Sequence, residues 1–229
     1  MKKSLQAGTL IIILVVPAFI FIGLHLFGEN KFDLPVYDGN QPEDKELMVF
    51  NPKSANCPDV AGEQHHIPEF QLLNQDSSQF LAAEALKGKV YVANFFFARC
   101  LGICINMTSE LLRVQDKFKD HPDVRLVSFT VDPKNDRPKE LKDYAEQYRI
   151  ESPFWTLLTG EKQEIYDLAH CGFYLVAKPA EEDPNDFIHS DKLVLVDKEG
   201  RIRGYYSGTD REEVDRLIQE ILVLLQTYE

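Results

Sequence analysis

Val90-Tyr91-Val92-Ala93-Asn94-Phe95-Phe96-Phe97-Ala98-Arg99-Cys100-Leu101-Gly102-Ile103-Cys104 is the stretch on which the reading of this 229-residue chain turns. Its first eight residues are uncharged and rich in aromatic and β-branched side chains, the signature of a strand covered on both faces. Beyond it, Met107, Leu111, Val114 and Phe118 recur at helical spacing and predict one apolar helix face. Two cysteines therefore sit at a strand-to-helix junction. A thiol there meets unpaired backbone N–H groups and the positive end of the helix dipole, and Arg99 is adjacent, so thiolate is the expected form. With Gly102 in a three-residue spacer, the two sulfurs can meet either as a disulfide or as a two-sulfur metal site, and the spacing does not choose between them. A structural zinc site would want a second cysteine pair, which the chain lacks.

Reading outward, apolar runs alternate with 3.6-period segments. Strands are expected over 70–73, 125–131 and 155–158, with helices over 139–148 and 161–170. A weaker strand over 173–177 and a polar insertion over 178–186 lead to a hairpin. There, 193–196 returns as 202–206 across Asp197-Lys198-Glu199-Gly200. The last helix, 212–228, lines up Val214, Leu217, Ile218, Ile221, Leu222 and Leu225, with Glu212 and Glu213 in its first turn, where the dipole favours acids. A βαβ core followed by ββα, with a cysteine pair at the core's first strand-to-helix junction, is what a thioredoxin-like α/β fold requires.

The chain has 37 acidic and 25 basic residues, a net charge of −12 at pH 7. No basic block exists to neutralise phosphates, so nucleic acid is excluded as a partner. Residues 4–28 contain no charged side chain and are long enough to cross a bilayer as a helix. Lys2-Lys3 in front favours an amino terminus left in the cytoplasm. No small-x-small cleavage site follows, nor a cysteine to receive lipid. The expected organisation is a membrane anchor over 1–28, a Pro- and Asn-rich tether over 29–67 with one short strand at Leu47-Met48-Val49-Phe50, and a globular domain over 68–229. The protein is then a single-pass protein of the cytoplasmic membrane with its domain on the extracytoplasmic (periplasmic) side, where disulfides persist. Cys57 and Cys171 can pair there or stay free and buried. His65-His66, adjacent in a polar segment, reads as solvated rather than as a second metal site with Cys57.

His189 stands just before the hairpin. Loops preceding the hairpin of such a fold can approach the first helix's N-terminus, and two thiolates with one imidazole form a soft set suited to copper, Cu(I) or Cu(II). Taken alone, a loop histidine is more often a solvated side chain. From about residue 67 to 225, however, the chain resembles the Sco/SenC family of membrane-anchored, thioredoxin-like copper-binding proteins, which serve assembly of the copper A centre of cytochrome c oxidase. The likeness is carried by the aromatic strand with Cys100 and Cys104, by Ser128-Phe129-Thr130-Val131-Asp132-Pro133, and by Phe187-Ile188-His189-Ser190 with Leu193-Val194-Leu195-Val196-Asp197-Lys198-Glu199-Gly200-Arg201-Ile202. The resemblance implies Cys100, Cys104 and His189 as copper ligands. It also implies the oxidase's copper-bearing subunit, or another copper acceptor, as partner, together with a thiol reductant. Asp132-Pro133 falls in a block that lies near the copper loop in that family, although Asp-Pro after a strand is also a plain turn signal. Leu101 and Ile105 stand where the family usually has proline, which loosens the loop and frees backbone N–H groups. The rival expectation is a thioredoxin-like thiol-disulfide oxidoreductase that uses Cys100 and Cys104 as its redox pair, with His189 incidental.

Overall fold

The computed structural model describes residues 15–19, 21, 34–38, 57, 64–100, 102–175 and 190–228. The chain divides into two units, Met1–Asp33 and Leu34–Glu229. In the first, residues 15–19 are helical and Val15, Val16 and Phe19 are exposed. Most of the anchor expected over 1–28 lies outside the described residues. Among the described residues no helix is long and apolar enough to cross a membrane.

The second unit runs β1 (Gln71–Asn74), β2 (Gln79–Leu81), α1 (Ala82–Ala85), β3 (Val90–Phe96), α2 (Ile103–Phe118), β4 (Val124–Thr130), α3 (Pro138–Tyr148), β5 (Trp155–Thr159), α4 (Lys162–Asp167), β6 (Lys192–Val196), β7 (Ile202–Ser207) and α5 (Arg211–Thr227). The strands form one sheet in the order β2-β1-β5-β4-β3-β6-β7. β3, β4 and β5 are mutually parallel, joined through the helices α2 and α3, whereas β6 returns antiparallel to β3 and pairs with β7 as the expected hairpin.

Because the side chains of β3 alternate between faces, its run of apolar residues feeds two cores at once. Tyr91, Ala93 and Phe95 join Phe70, Phe129 and Phe173 on one side. Val90, Val92 and Phe96 meet Met107, Leu111, Val114 and Phe118 of α2 and Val214, Leu217 and Ile221 of α5 on the other. The only polar side chain of β3, Asn94, is buried and accepts a hydrogen bond from Ser128 Oγ, 2.6 Å away. Ser128 in turn accepts one from the Trp155 indole at 2.8 Å, so the three parallel strands share a satisfied polar thread.

Two local differences from the sequence expectation follow β5. The helix expected over 161–170 is α4 followed by a π-helical turn, Leu168–Gly172, in which Phe173 N–H reaches back to Leu168 O. Gly172 suits the close packing there: a Cβ would fall 2.9 Å from the Leu168 side chain and 3.2 Å from Pro68, and both would have to shift. Of the expected strand over 173–177, Leu175 forms a single β-bridge while its N–H donates to Ala169 O at 2.9 Å, and residues 176–177 lie outside the described residues. Residues 176–189, including the polar insertion, lie outside the described residues, as does Leu47-Met48-Val49-Phe50.

Three pieces of the stretch read as a tether pack on the domain. Cys57 is disulfide-bonded to Cys171 in the π-turn, with a Cα–Cα distance of 5.4 Å. His65, expected to be solvated, is 5% exposed, with Nε2 2.7 Å from Gly172 O and its ring 4.1 Å from that of Tyr174; burial holds its pKa below the ordinary histidine value. Residues 34–38 lie along the outer side of β7, where Tyr37 N–H donates to Ile202 O at 2.9 Å. Arg203, almost fully buried, donates to the carbonyls of Pro35 and Leu34 and to Asp197.

Candidate functional site

The site forms where β3 ends. Cys100 N–H donates to Phe97 O at 3.2 Å, closing a turn, and Ile105 N–H donates to Gly102 O at 3.1 Å as α2 begins. Gly102 occupies the N-cap position and supplies no side-chain cap. One of the N–H groups this leaves open, that of Cys104, is taken by Cys100 Sγ at 3.4 Å. The two sulfurs face one another, unbridged, at the mouth of the helix.

They are not equivalent. Cys100 is half-buried, whereas Cys104 is 3% exposed. Burial pushes the Cys104 thiol up to about 12, and the hydrogen bond with Cys100 and the negative charge of Asp136 push the same way. The expectation that both cysteines favour thiolate is thus corrected for Cys104, which stays protonated at neutral pH in the metal-free chain. The Arg99 guanidinium lies 2.7 Å from Asp132.

That ion pair belongs to a second turn, between β4 and α3, which holds the cysteine loop from the side. Asp132, which the sequence reads as a turn signal or as a neighbour of the loop, is both. It accepts both bonds from Asn135 Nδ2, at 3.0 and 2.9 Å, and it meets Arg99. Asp136 is a further member of this turn that the sequence analysis does not name. It is 1% exposed, and its Oδ2 accepts Ala98 N–H at 2.8 Å and Thr130 Oγ1 at 2.6 Å. Burial pushes its carboxyl up, against those two bonds. The signal available in sequence is the cluster of Thr130, Asp132, Asn135 and Asp136 at and just beyond the end of β4. Behind Cys104, Thr108 and Tyr144 share a hydrogen bond at 2.6 Å, and the Tyr144 ring packs 5.2 Å from Phe96.

His189 lies outside the described residues. What is described is the start of β6, where Ser207 Oγ donates to Asp191 and Gly208 N–H donates to Asp191 O. Since β6 is antiparallel to β3, with Ala93 opposite Val194, this start lies at the same end of the sheet as the cysteine loop.

A parallel βαβ core with an antiparallel ββα end, and a cysteine pair at the first strand-to-helix junction of that core, defines a thioredoxin-like protein. The SCO1/SenC family model matches residues 58–226, and the chain belongs to that family. It is 37% identical over 160 residues to a SCO1 protein homolog of Bacillus subtilis strain 168, covering 69% of this chain and 81% of the relative. The solved structure of BsSco, a member of the Sco family of cytochrome c oxidase assembly proteins in which a disulfide switch was identified, superposes with a TM-score of 0.61 at 34% identity. That match covers 70% of this chain and 93% of BsSco. Copper-bound ScoI of Arabidopsis thaliana does so with a TM-score of 0.56 at 25% identity, over 70% of this chain and 98% of that one.

Proposed function

We propose that the protein is a copper-binding and thiol-redox factor for assembly of the copper A centre of cytochrome c oxidase, with Cys100, Cys104 and His189 as the copper ligands. The observation that carries this reading is the unbridged pair Cys100 and Cys104 held at the mouth of α2, in a chain whose other two cysteines are already joined. Thiolates are soft donors that suit copper, and metal binding drives deprotonation of the Cys104 thiol. Support for His189 comes from the order of the strands: it stands three residues before Lys192, within about 10 Å of chain from the start of β6. A copper-bound relative and a relative from an oxidase assembly family support the cargo and the destination. Delivery then proceeds by ligand exchange, with an acceptor's cysteines taking over the ion as this pair releases it. The domain carries out this work outside the cytoplasm, tethered by a membrane anchor over 1–28.

Titration of the reduced protein with Cu(I) is expected to give one copper per chain. Cys100→Ser should abolish tight binding, and His189→Ala should weaken it and alter the spectrum of the Cu(II) form. Unchanged affinity and spectrum in His189→Ala would remove the histidine from the site. A second reading, thiol-disulfide oxidoreductase, is favoured by the unequal exposure of the two thiols, which suits an attacking Cys100 and a resolving Cys104. Alkylation separates the two: bound Cu(I) should protect Cys100 and Cys104, and equal reactivity with and without copper would leave the oxidoreductase reading standing. For the topology, protease added to intact spheroplasts should digest the domain, and digestion only after lysis would reverse the assigned side.

A further inference from the structure

Two carboxylates on the β4–α3 turn grip two successive residues just ahead of Cys100, and they do so differently. Asp132 holds Arg99 through a guanidinium that is 64% exposed, a pairing that water screens. Asp136 holds the main chain itself. Its buried Oδ2 accepts Ala98 N–H, and its own backbone N–H is tied back to Asp132 O at 2.9 Å. A buried carboxylate is costly unless its bonds are strong, and a charge-assisted bond to a backbone N–H is among the stronger ones. The loop needs such a hold because Leu101 and Ile105 leave it without proline, and a Cβ on Gly102 would meet nothing within 4 Å, so no packing there restrains it.

We infer that Asp136 is a positioning residue of the site: by fixing Ala98 it fixes where the chain turns toward Cys100, and so keeps the two sulfurs at high effective concentration toward each other and toward a shared ion. Asp136 acts through Ala98 and touches neither sulfur by hydrogen bond. The inference rests on Cys100 and Cys104 being the working pair, and it makes the same demand whether that pair closes on itself or on copper. Asn at this position keeps a carbonyl oxygen for Ala98 N–H, and Ala keeps none, so the two substitutions separate position from charge.

The experiment is equilibration of the full chain with mixtures of oxidised and reduced dithiothreitol. The protein dithiol gives two electrons and two protons to the cyclic disulfide, forming the Cys100–Cys104 bond and reduced dithiothreitol. Competition for Cu(I) is measured alongside. Asp136→Ala is expected to shift the disulfide equilibrium about tenfold toward the dithiol and to weaken Cu(I) binding about tenfold, the size of effect that removing a residue behind a metal ligand produces. Asp136→Asn should stay within about threefold of the parent in both. Thr130→Val, which removes the carboxylate's other partner and leaves the Ala98 bond, should lower the melting temperature and leave the redox equilibrium in place. Should Asp136→Ala not fold, Asp136→Ser, too short to reach Ala98, reports the same quantities. An Asp136→Ala protein that melts early but keeps the parent redox equilibrium overturns the inference, and so does Asp136→Asn behaving like Asp136→Ala, which would make charge the agent. If the parent bound no copper while the dithiothreitol equilibrium shifted as stated, the copper reading would fail and this one would stand.

Discussion

Exchanging Cys57 and Cys171 together for alanine is expected to lower the unfolding free energy by about 4–5 kcal/mol, the loop-closure entropy that a crosslink spanning roughly a hundred residues withholds from the unfolded chain. The bridge spans 114 positions and encloses β1 to β5 together with α1 to α4. It fastens the segment upstream of β1 at the π-turn, where His65 also meets Gly172 and Pro68 lies beside that glycine. Urea unfolding monitored by circular dichroism would give the midpoint and slope for both proteins. Treating the parent with a strong dithiol should bring its curve toward that of the double variant. A midpoint change worth under 1 kcal/mol would mean that the crosslink is incidental to stability.

A loss of about 3–5 kcal/mol is expected for Asp197→Ala, because it strands a buried cation. Asp197 opens the β6–β7 turn. Its carboxylate accepts the backbone N–H groups of Glu199 and Arg201, the Arg201 Nε at 2.9 Å and the Arg203 guanidinium at 2.9 Å. Burial acts to raise its pKa, but the bonds from Arg201 and Arg203 outweigh burial and hold the carboxyl below the ordinary aspartate value. The sign for pH follows. Below about pH 4 the unfolded chain takes up a proton at this position that the folded chain still refuses, so the stabilisation is complete above that pH and drains away as pH falls through the folded value. The gap in stability between the parent and Asp197→Asn should therefore be widest near neutrality and narrow below about pH 4. A gap that widened with acid would contradict the assignment.

Most of the frame is legible in the residues because burial on two faces leaves a strong mark. The strand read at Val90 ends within a residue of where β3 ends, and all four apolar residues placed on one face of the following helix are buried. The hairpin and the last helix are equally legible, the latter from its apolar stripe and from Glu212 and Glu213; the structure adds Asp210, which accepts Glu212 N–H at its start. What escapes is short or collective. β2 and α1, at three and four residues, are below the length at which periodicity can be counted. His65 is indistinguishable in sequence from a solvated histidine until the chain folds back onto the π-turn. Asp136 and Arg203 are polar residues whose burial depends on partners 38 and 168 positions away; the polar cluster at the end of β4 marks a turn around the first but not its burial, and nothing local marks the second. Of the site, the cysteine pair was readable from its place between strand and helix; the acid that steadies the loop was not.

The strap of residues 34–38 beside β7 has a practical corollary for anyone cutting out a soluble fragment. A fragment beginning at residue 58, where the family likeness starts, would discard Cys57 and leave Cys171 as an odd thiol able to crosslink two molecules. It would also strip the carbonyls of Leu34 and Pro35 from Arg203 and uncover the outer rim of β7, whose open backbone groups would invite sheet-to-sheet pairing between copies. Fragments starting before residue 34 should therefore remain monomeric at concentrations where the shorter ones associate.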